Sequence, residues 1–196
     1  MAETLSHPRI EAVAIGASAG GVRALLALLS DLPAAFRLPV VVVLHVPDRR
    51  DSQLVELFQH RLRMPVREAR DKEAIEASTL YFAGPGYHLA IEADHSFSLS
   101  CEEPVHYSRP SIDIMMTSAA DAYGAGLAGI LLTGANGDGA GGLAHIALQG
   151  GLTIVQDPEE AEAAAMPKAA LRTMKPDFVL PLERIRRLLH QLDTHA

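Results

Sequence analysis

Tryptophan is absent from this chain of 196 residues, and the other aromatics are few, five Phe and four Tyr. Aliphatic side chains must therefore fill the core. Cysteine is almost absent too. Cys101 stands alone, so no internal disulfide forms, which fits a reducing cytosol. A lone cysteine in a strand-like stretch reads as a small semi-buried residue rather than a nucleophile. No apolar run reaches the ~18 residues of a membrane span. Met1 to Glu11 carries charges and no apolar centre, so it is not a signal peptide. These absences predict a cytoplasmic protein with no membrane insertion. Positive charge is in deficit. The net charge of −7 argues against a duplex-binding surface and predicts no nucleic-acid partner, although local basic patches remain. No cluster of His, Cys and carboxylates has ligand spacing, so no metal and no organic cofactor is expected. Repeats, low-complexity stretches and interdomain linkers are also missing. The reading is one domain over residues 1–196, with a polar lead-in over 1–9.

Strands alternate with helices along the chain. The apolar β-type run Ala12 to Ile15 ends in Gly16-Ala17-Ser18-Ala19-Gly20-Gly21, and a helical pattern follows through Val22, Leu25, Leu26, Leu28 and Leu29. Val40 to Leu44 is a β-branched run of the kind that is buried on both faces of a parallel sheet. Leu127 to Leu132 is another, entering the glycine-rich turn Thr133 to Gly142. Leu89 to Glu92 and Phe97 to Ser100 flank a polar turn and read as a β-hairpin. Helices are predicted at Ser52–Leu62, from Arg109-Pro110-Ser111 to Ala122, at Leu143–Leu148, at Met166–Thr173 and at Leu182–Leu192. The fold class expected is a three-layer α/β/α sandwich with a mostly parallel, doubly wound sheet and an antiparallel edge hairpin.

Three parallel-type strands run out into polar side chains: Ser18, His45 and Asp138. Carboxyl ends of parallel strands share one edge of the sheet, where ligands bind in open α/β folds. If the strands are neighbours, the three converge as nucleophile, base and orienting carboxylate. Each also has a plain structural reading. Ser18 is a helix cap, His45 a strand-end histidine bonded to a carbonyl, and Asp138 an Asx turn or N-cap. A rival is a dinucleotide site, because Gly16-x-Ser18-x-x-Gly21 sits where a G-x-G-x-x-G fingerprint belongs. Against it, Ser replaces the middle Gly, and His45 stands where a ribose-binding acid belongs. A third reading is a non-catalytic module whose turns present a binding surface.

The stretches Val13–Gly21, Leu44-His45-Val46-Pro47, Arg109-Pro110-Ser111-Ile112-Asp113, Leu131–Gly139 and Met166-Pro167 resemble the catalytic domain of the chemotaxis protein-glutamate methylesterase (CheB-type) family. The likeness runs in order from about Ile10 to Leu189. It implies a serine esterase that hydrolyses glutamyl methyl esters on the cytoplasmic helices of bacterial chemoreceptors, and in some members deamidates glutamines there. It matches Ser18 to the nucleophile, His45 to the base and Asp138 to the third member. Backbone N–H groups of Ala135 and Ala19 fall at the oxyanion position. The chain departs from the family in four places. Ala135 replaces a usual Met, Ala19 a Thr and Leu44 a Gln, and Asn136-Gly137-Asp138-Gly139 replaces a Gly-Asn-Asp-Gly order. Arg109 and Asp113 are expected to shape a helix start and pair with each other, with Arg109 also a substrate-binding candidate. Arg49 and Arg50, with Arg61, Arg63 and Arg67, form a solvated basic face or a patch that attracts acidic receptor helices. Family members typically carry a receiver domain ahead of this one. About ten residues precede the first strand here, so no receiver domain is expected over the site, and activity is expected without phosphorylation.

Overall fold

A computed structural model describes residues 9–33, 35–45 and 53–194. Nine strands and six α-helices are found among them. In chain order they are β1 (Ala12–Ala17), α1 (Gly21–Leu29), β2 (Val40–Leu44), α2 (Leu54–Gln59), β3 (Val66–Glu68), β4 (Leu80–Phe82), β5 (His88–Ile91), β6 (Phe97–Ser100), α3 (Ile112–Tyr123), β7 (Leu127–Leu131), α4 (Ala140–Leu148), β8 (Leu152–Gln156), α5 (Ala165–Thr173), β9 (Phe178–Leu180) and α6 (Leu182–Thr194). Seven strands form one sheet in the order β3-β4-β2-β1-β7-β8-β9, and every pairing is parallel. The expected antiparallel hairpin, β5–β6, is present as a separate two-stranded sheet. It lies against α3, where the Ser118 hydroxyl accepts the Ile91 N–H. The edges of the large sheet are β3 and β9.

The central strands are buried on both faces, so their residues alternate between two cores. Val13, Ile15, Val40, Val42, Ala128 and Ile130 face one core with α1, α2 and α6. Ala12, Ala14, Val41, Val43, Leu127 and Leu131 face the other, with α3, α4, α5 and the hairpin. On β1 the second face is small: Ala12, Ala14 and Gly16. This lets α3 approach closely. A Cβ on Gly16 would lie 2.3 Å from Ile112 Cγ2 and 2.9 Å from a Leu131 methyl. The missing side chain brings the first turn of α3 over the carboxyl end of β1.

After β1 the chain builds one side of the sheet, then returns to add β7 on the other side of β1. That reversal is a topological switch point, and it opens a crevice at the strand ends. Ser18, at the end of β1, stands in it. The close approach at Gly16 gives the first test. Gly16→Ala should lower stability by about 1–3 kcal/mol through overpacking, read as a fall of several degrees in melting temperature. Gly137→Ala, whose Cβ would meet only Ala169 at 3.5 Å, should cost clearly less. Equal melting temperatures for the two variants would contradict the close-packing argument.

Candidate active site

The three strand ends are neighbours. The His45 N–H donates to the Ala17 carbonyl at 3.0 Å, continuing the β1–β2 ladder, and the Ser18 N–H donates to the Thr133 carbonyl at 2.9 Å, continuing β1–β7. Ser18 is thus flanked by His45 on one side and by the loop that carries Asp138 on the other. His45 Nε2 lies 3.0 Å from Asp138 Oδ2. The His45 side chain is 12% exposed and the Asp138 side chain 0%.

Burying a carboxylate is expensive unless its oxygens are satisfied. Asp138 is satisfied by the start of α3. Oδ1 accepts from the Ser111 hydroxyl at 2.9 Å and the Asp113 N–H at 3.0 Å, and Oδ2 accepts from the Ile112 N–H at 2.7 Å as well as from His45. These four donors match the roughly four lone-pair sites of a carboxylate, and the helix N-terminus adds positive potential. Burial pushes the Asp138 carboxyl up. The His45 hydrogen bond, the Asp113 and Ile112 amides and the Ser111 hydroxyl outweigh it and hold the group below the usual carboxylate range. An ionised carboxylate only accepts, so Nε2 carries the hydrogen. In neutral His45 the free lone pair is then on Nδ1. That is the reverse of the ring orientation in chymotrypsin-type triads.

Asp113 repeats the device in the other direction. Its Oδ1 accepts N–H bonds from Gly139 and Gly142 at 3.0 and 2.6 Å, at the start of α4. The start of α3 is therefore held by Asp138, from the loop leading into α4, and the start of α4 by Asp113, from the first turn of α3. Burial raises the Asp113 carboxyl above its ordinary value, the Gly142 amide opposes this, and the nearby Asp138 charge adds to the rise. The expected Arg109–Asp113 ion pair does not form. The side chain beside Asp113 is the His106 imidazole, with Nε2 3.5 Å from Oδ2. The Arg109 guanidinium instead donates to the carbonyls of Cys101 and Glu102 at 3.1 Å each. Asp113 was a better cap than ion-pair partner because glycines at 139 and 142 bring the α4 backbone within reach of its side chain.

Around the serine the backbone keeps donors free. Neither Ala19 nor Ala135 has an acceptor for its N–H among the described residues, and both are exposed. Thr133 ties the two loops together. Its hydroxyl donates to the Ala19 carbonyl and accepts from the Ala163 N–H, each at 2.8 Å, while its own N–H donates to the buried Gln156 side chain. Gly134 exchanges backbone bonds with Ala163 and Met166, and a Cβ there would strike Met166. Met166, Met115 and Met116 are fully buried and fill the core on the α3 side. The room beside Gly16 and Gly20 is taken by Ile112 and Glu162.

Several residues escaped the sequence reading. Ser111 lay inside a quoted motif but without a role. His88 is 1% exposed; its Nδ1 accepts the Ser111 N–H and its Nε2 donates to the Glu103 carbonyl. Alternation along β5 puts His88 on the face of Ala90, opposite the buried Leu89 and Ile91, so the pattern carried no signal for its burial. Ser108 Oγ lies 3.5 Å from His45 Nδ1 and 3.5 Å from the Asn136 amide nitrogen. The Ser18 hydroxyl has no hydrogen-bond partner among the described residues. Arg49 and Arg50 lie outside the described residues, and Arg67 of the same basic run is tied to Glu73 and Glu76.

The depressed Asp138 carboxyl has a stability consequence. Such a group contributes stability that is fully present above the unfolded-chain value of about 3.9 and is lost as pH falls through the folded value. Asp138→Asn removes a buried acceptor from its donors and should cost about 2–4 kcal/mol near neutrality. Denaturant unfolding of both proteins from about pH 6 down to 3 should show the gap shrinking in the acid part of that range. A gap independent of pH would mean that Asp138 is not held ionised.

Comparison with known proteins shows the family and the fold. The family model described as CheB methylesterase matches residues 13–189. A Leptospira interrogans protein named putative protein-glutamate methylesterase/protein-glutamine glutaminase is 44% identical over 183 residues, covering 93% of this chain and 95% of that protein. A protein-glutamate methylesterase/protein-glutamine glutaminase 2 of Anaeromyxobacter dehalogenans is 40% identical over 184 residues, and there the chain spans only 54% of the relative. The crystal structure of the Thermotoga maritima CheB methylesterase catalytic domain superimposes with a TM-score of 0.89 at 31% identity, covering 93% of this chain and 98% of that one. By its motifs, its fold and these matches, the chain belongs to the CheB methylesterase family.

Proposed function

We propose that the protein hydrolyses γ-methyl esters of glutamyl side chains, with Ser18 as nucleophile, His45 Nδ1 as base and Asp138 as the carboxylate that orients the ring. The observation that carries this reading is the His45–Asp138 pair. A buried, fully hydrogen-bonded carboxylate holds one imidazole tautomer, and its basic nitrogen belongs to a residue one ladder position across from Ser18.

In the first half-reaction the Ser18 oxygen bonds to the ester carbonyl carbon as its proton passes to His45 Nδ1. Negative charge moves to the carbonyl oxygen, and the free N–H groups of Ala19 and Ala135 are the donors for it. Collapse of the intermediate breaks the C–OCH3 bond, and His45 returns the proton to the departing methanol. The product is a glutamyl ester of Ser18. In the second half a water attacks that carbonyl, His45 again takes the proton and gives it back to Ser18, and a glutamate is released. A glutaminyl side chain would pass through the same acyl-enzyme with ammonia leaving, which is how one site would serve both activities in the relatives' names. No step calls for a metal or an organic cofactor. The substrates would be the methylated cytoplasmic helices of chemoreceptors, met in the cytoplasm. No helix among the described residues is long and apolar enough to cross a membrane.

The test is methanol release from methylated receptor membranes, with mass-spectrometric mapping of a fluorophosphonate adduct. Wild type should release methanol. Ser18→Ala and His45→Ala should each lose at least about a thousandfold in kcat/KM, and the adduct should sit on Ser18. An active Ser18→Ala protein, or an adduct on Ser108, would reject the assignment of the nucleophile.

A further inference from the structure

The segment between β6 and α3 forms a tight two-residue hairpin beside the site. Val105 and Ser108 exchange both backbone hydrogen bonds, at 3.1 and 2.8 Å. The two residues between them, His106 and Tyr107, have φ of 50° and 62°. Two-residue loops of this kind demand left-handed backbone and normally use Asn-Gly or Gly-Gly. A residue with a Cβ is penalised there, so this tip stores strain at two consecutive positions, a pattern that clusters at functional sites.

The hairpin is also held firmly. Arg109 bonds the carbonyls of Cys101 and Glu102, and His88 bonds that of Glu103. His106 reaches Asp113, and Ser108 reaches His45 Nδ1. His106, Ser108 and Arg109 around the tip are each tied to the body of the protein or to the site. Tyr107 is the exception. Its side chain is as exposed as in an extended chain, and no hydrogen bond, ion pair or ring contact with a described residue involves it. The fold thus presents a fully exposed aromatic on a hydrogen-bonded backbone, one residue away from the side chain that faces the catalytic base, at a backbone cost, with no internal use for it.

We propose that Tyr107 is a specificity-determining residue whose ring packs on the polypeptide around the ester-bearing glutamyl side chain, so that the hairpin serves as the substrate-side clamp of the site. The proposal rests on the esterase reading above. A tyrosine ring supplies large contact area with little rotamer freedom to lose, and its backbone is already held in place before substrate arrives. The clamp recognises a protein segment rather than a free ester, because the ring stands out from the surface instead of lining a pocket. Its contribution is to binding, with the reacting atoms handled by Ser18, His45 and Asp138.

The experiment is the initial rate of methanol release against the concentration of methylated receptor. Tyr107→Ala keeps a Cβ on the same left-handed backbone and removes only the ring, so the hairpin is retained. It should raise KM about tenfold with kcat within about twofold of wild type, as expected for loss of uniform binding. Tyr107→Phe should restore a near-wild-type KM. Leu148→Ala, which removes a large exposed side chain at the far end of α4, should behave as wild type. A Tyr107→Ala enzyme with the KM of Leu148→Ala would overturn the clamp and leave the esterase reading standing. A loss confined to kcat would also overturn it. A wild-type enzyme that releases no methanol would overturn the esterase reading, and the clamp with it.

Discussion

The site depends on one buried carboxylate held by the first turn of one helix. Asp138 is inaccessible to solvent, and a charge there survives only because Ser111, Ile112 and Asp113 point their donors at it from the start of α3. Remove the helix start and the carboxyl would protonate or the loop would open. With the helix start in place, Asp138 stays ionised and has one acceptor direction left for His45. The chemistry proposed at the strand ends therefore depends on a helix to which it assigns no reacting group. The motif Arg109-Pro110-Ser111-Ile112-Asp113 belongs to the site for this reason, with its backbone amides serving more than its charged side chains.

The same logic runs outward into packing. α3 reaches Asp138 because β1 presents Ala12, Ala14 and Gly16 to it, with the α3 side chain Ile112 filling the space a larger residue would need. α4 starts where Asp113 caps it, and Asp138 lies one residue ahead of Gly139, whose φ of 95° turns the chain into that helix. The exchange of caps between α3 and α4 couples the two helices, so each aspartate serves stability and site geometry together. Their carboxyls move in opposite directions. Asp138 has more donors than burial can offset, while Asp113 has fewer and sits within the field of Asp138.

Much of this was legible in the sequence. The parallel sheet followed from the β-branched and small-residue runs alternating with helical patterns. Ser18, His45 and Asp138 stood out because polar side chains at the ends of buried strands are costly without a use. The second layer of the site was hidden. Nothing near Ser111 in sequence announces Asp138, and nothing near His88 announces the N–H of Ser111. These contacts join residues more than twenty positions apart and appear only once α3 is laid across β1. Arg109 and Asp113 illustrate the same limit. Opposite charges four apart at a helix start suggest a pair, but the backbone of another helix was the stronger competitor for the carboxylate. Ser108 and Tyr107 were passed over because a hairpin with His-Tyr at its tip carries no glycine signal.

The central claim is that Asp138 fixes the tautomer of His45 and leaves Nδ1 as the base. The most direct measurement is the 15N spectrum of the His45 ring in the free protein, at a pH where the ring is neutral. The geometry requires a protonated Nε2 with a hydrogen bond to a carboxylate and a bare Nδ1. A protonated Nδ1 with a bare Nε2 would contradict the account, because His45 could then neither be oriented by Asp138 nor take the serine proton at the nitrogen assigned to it.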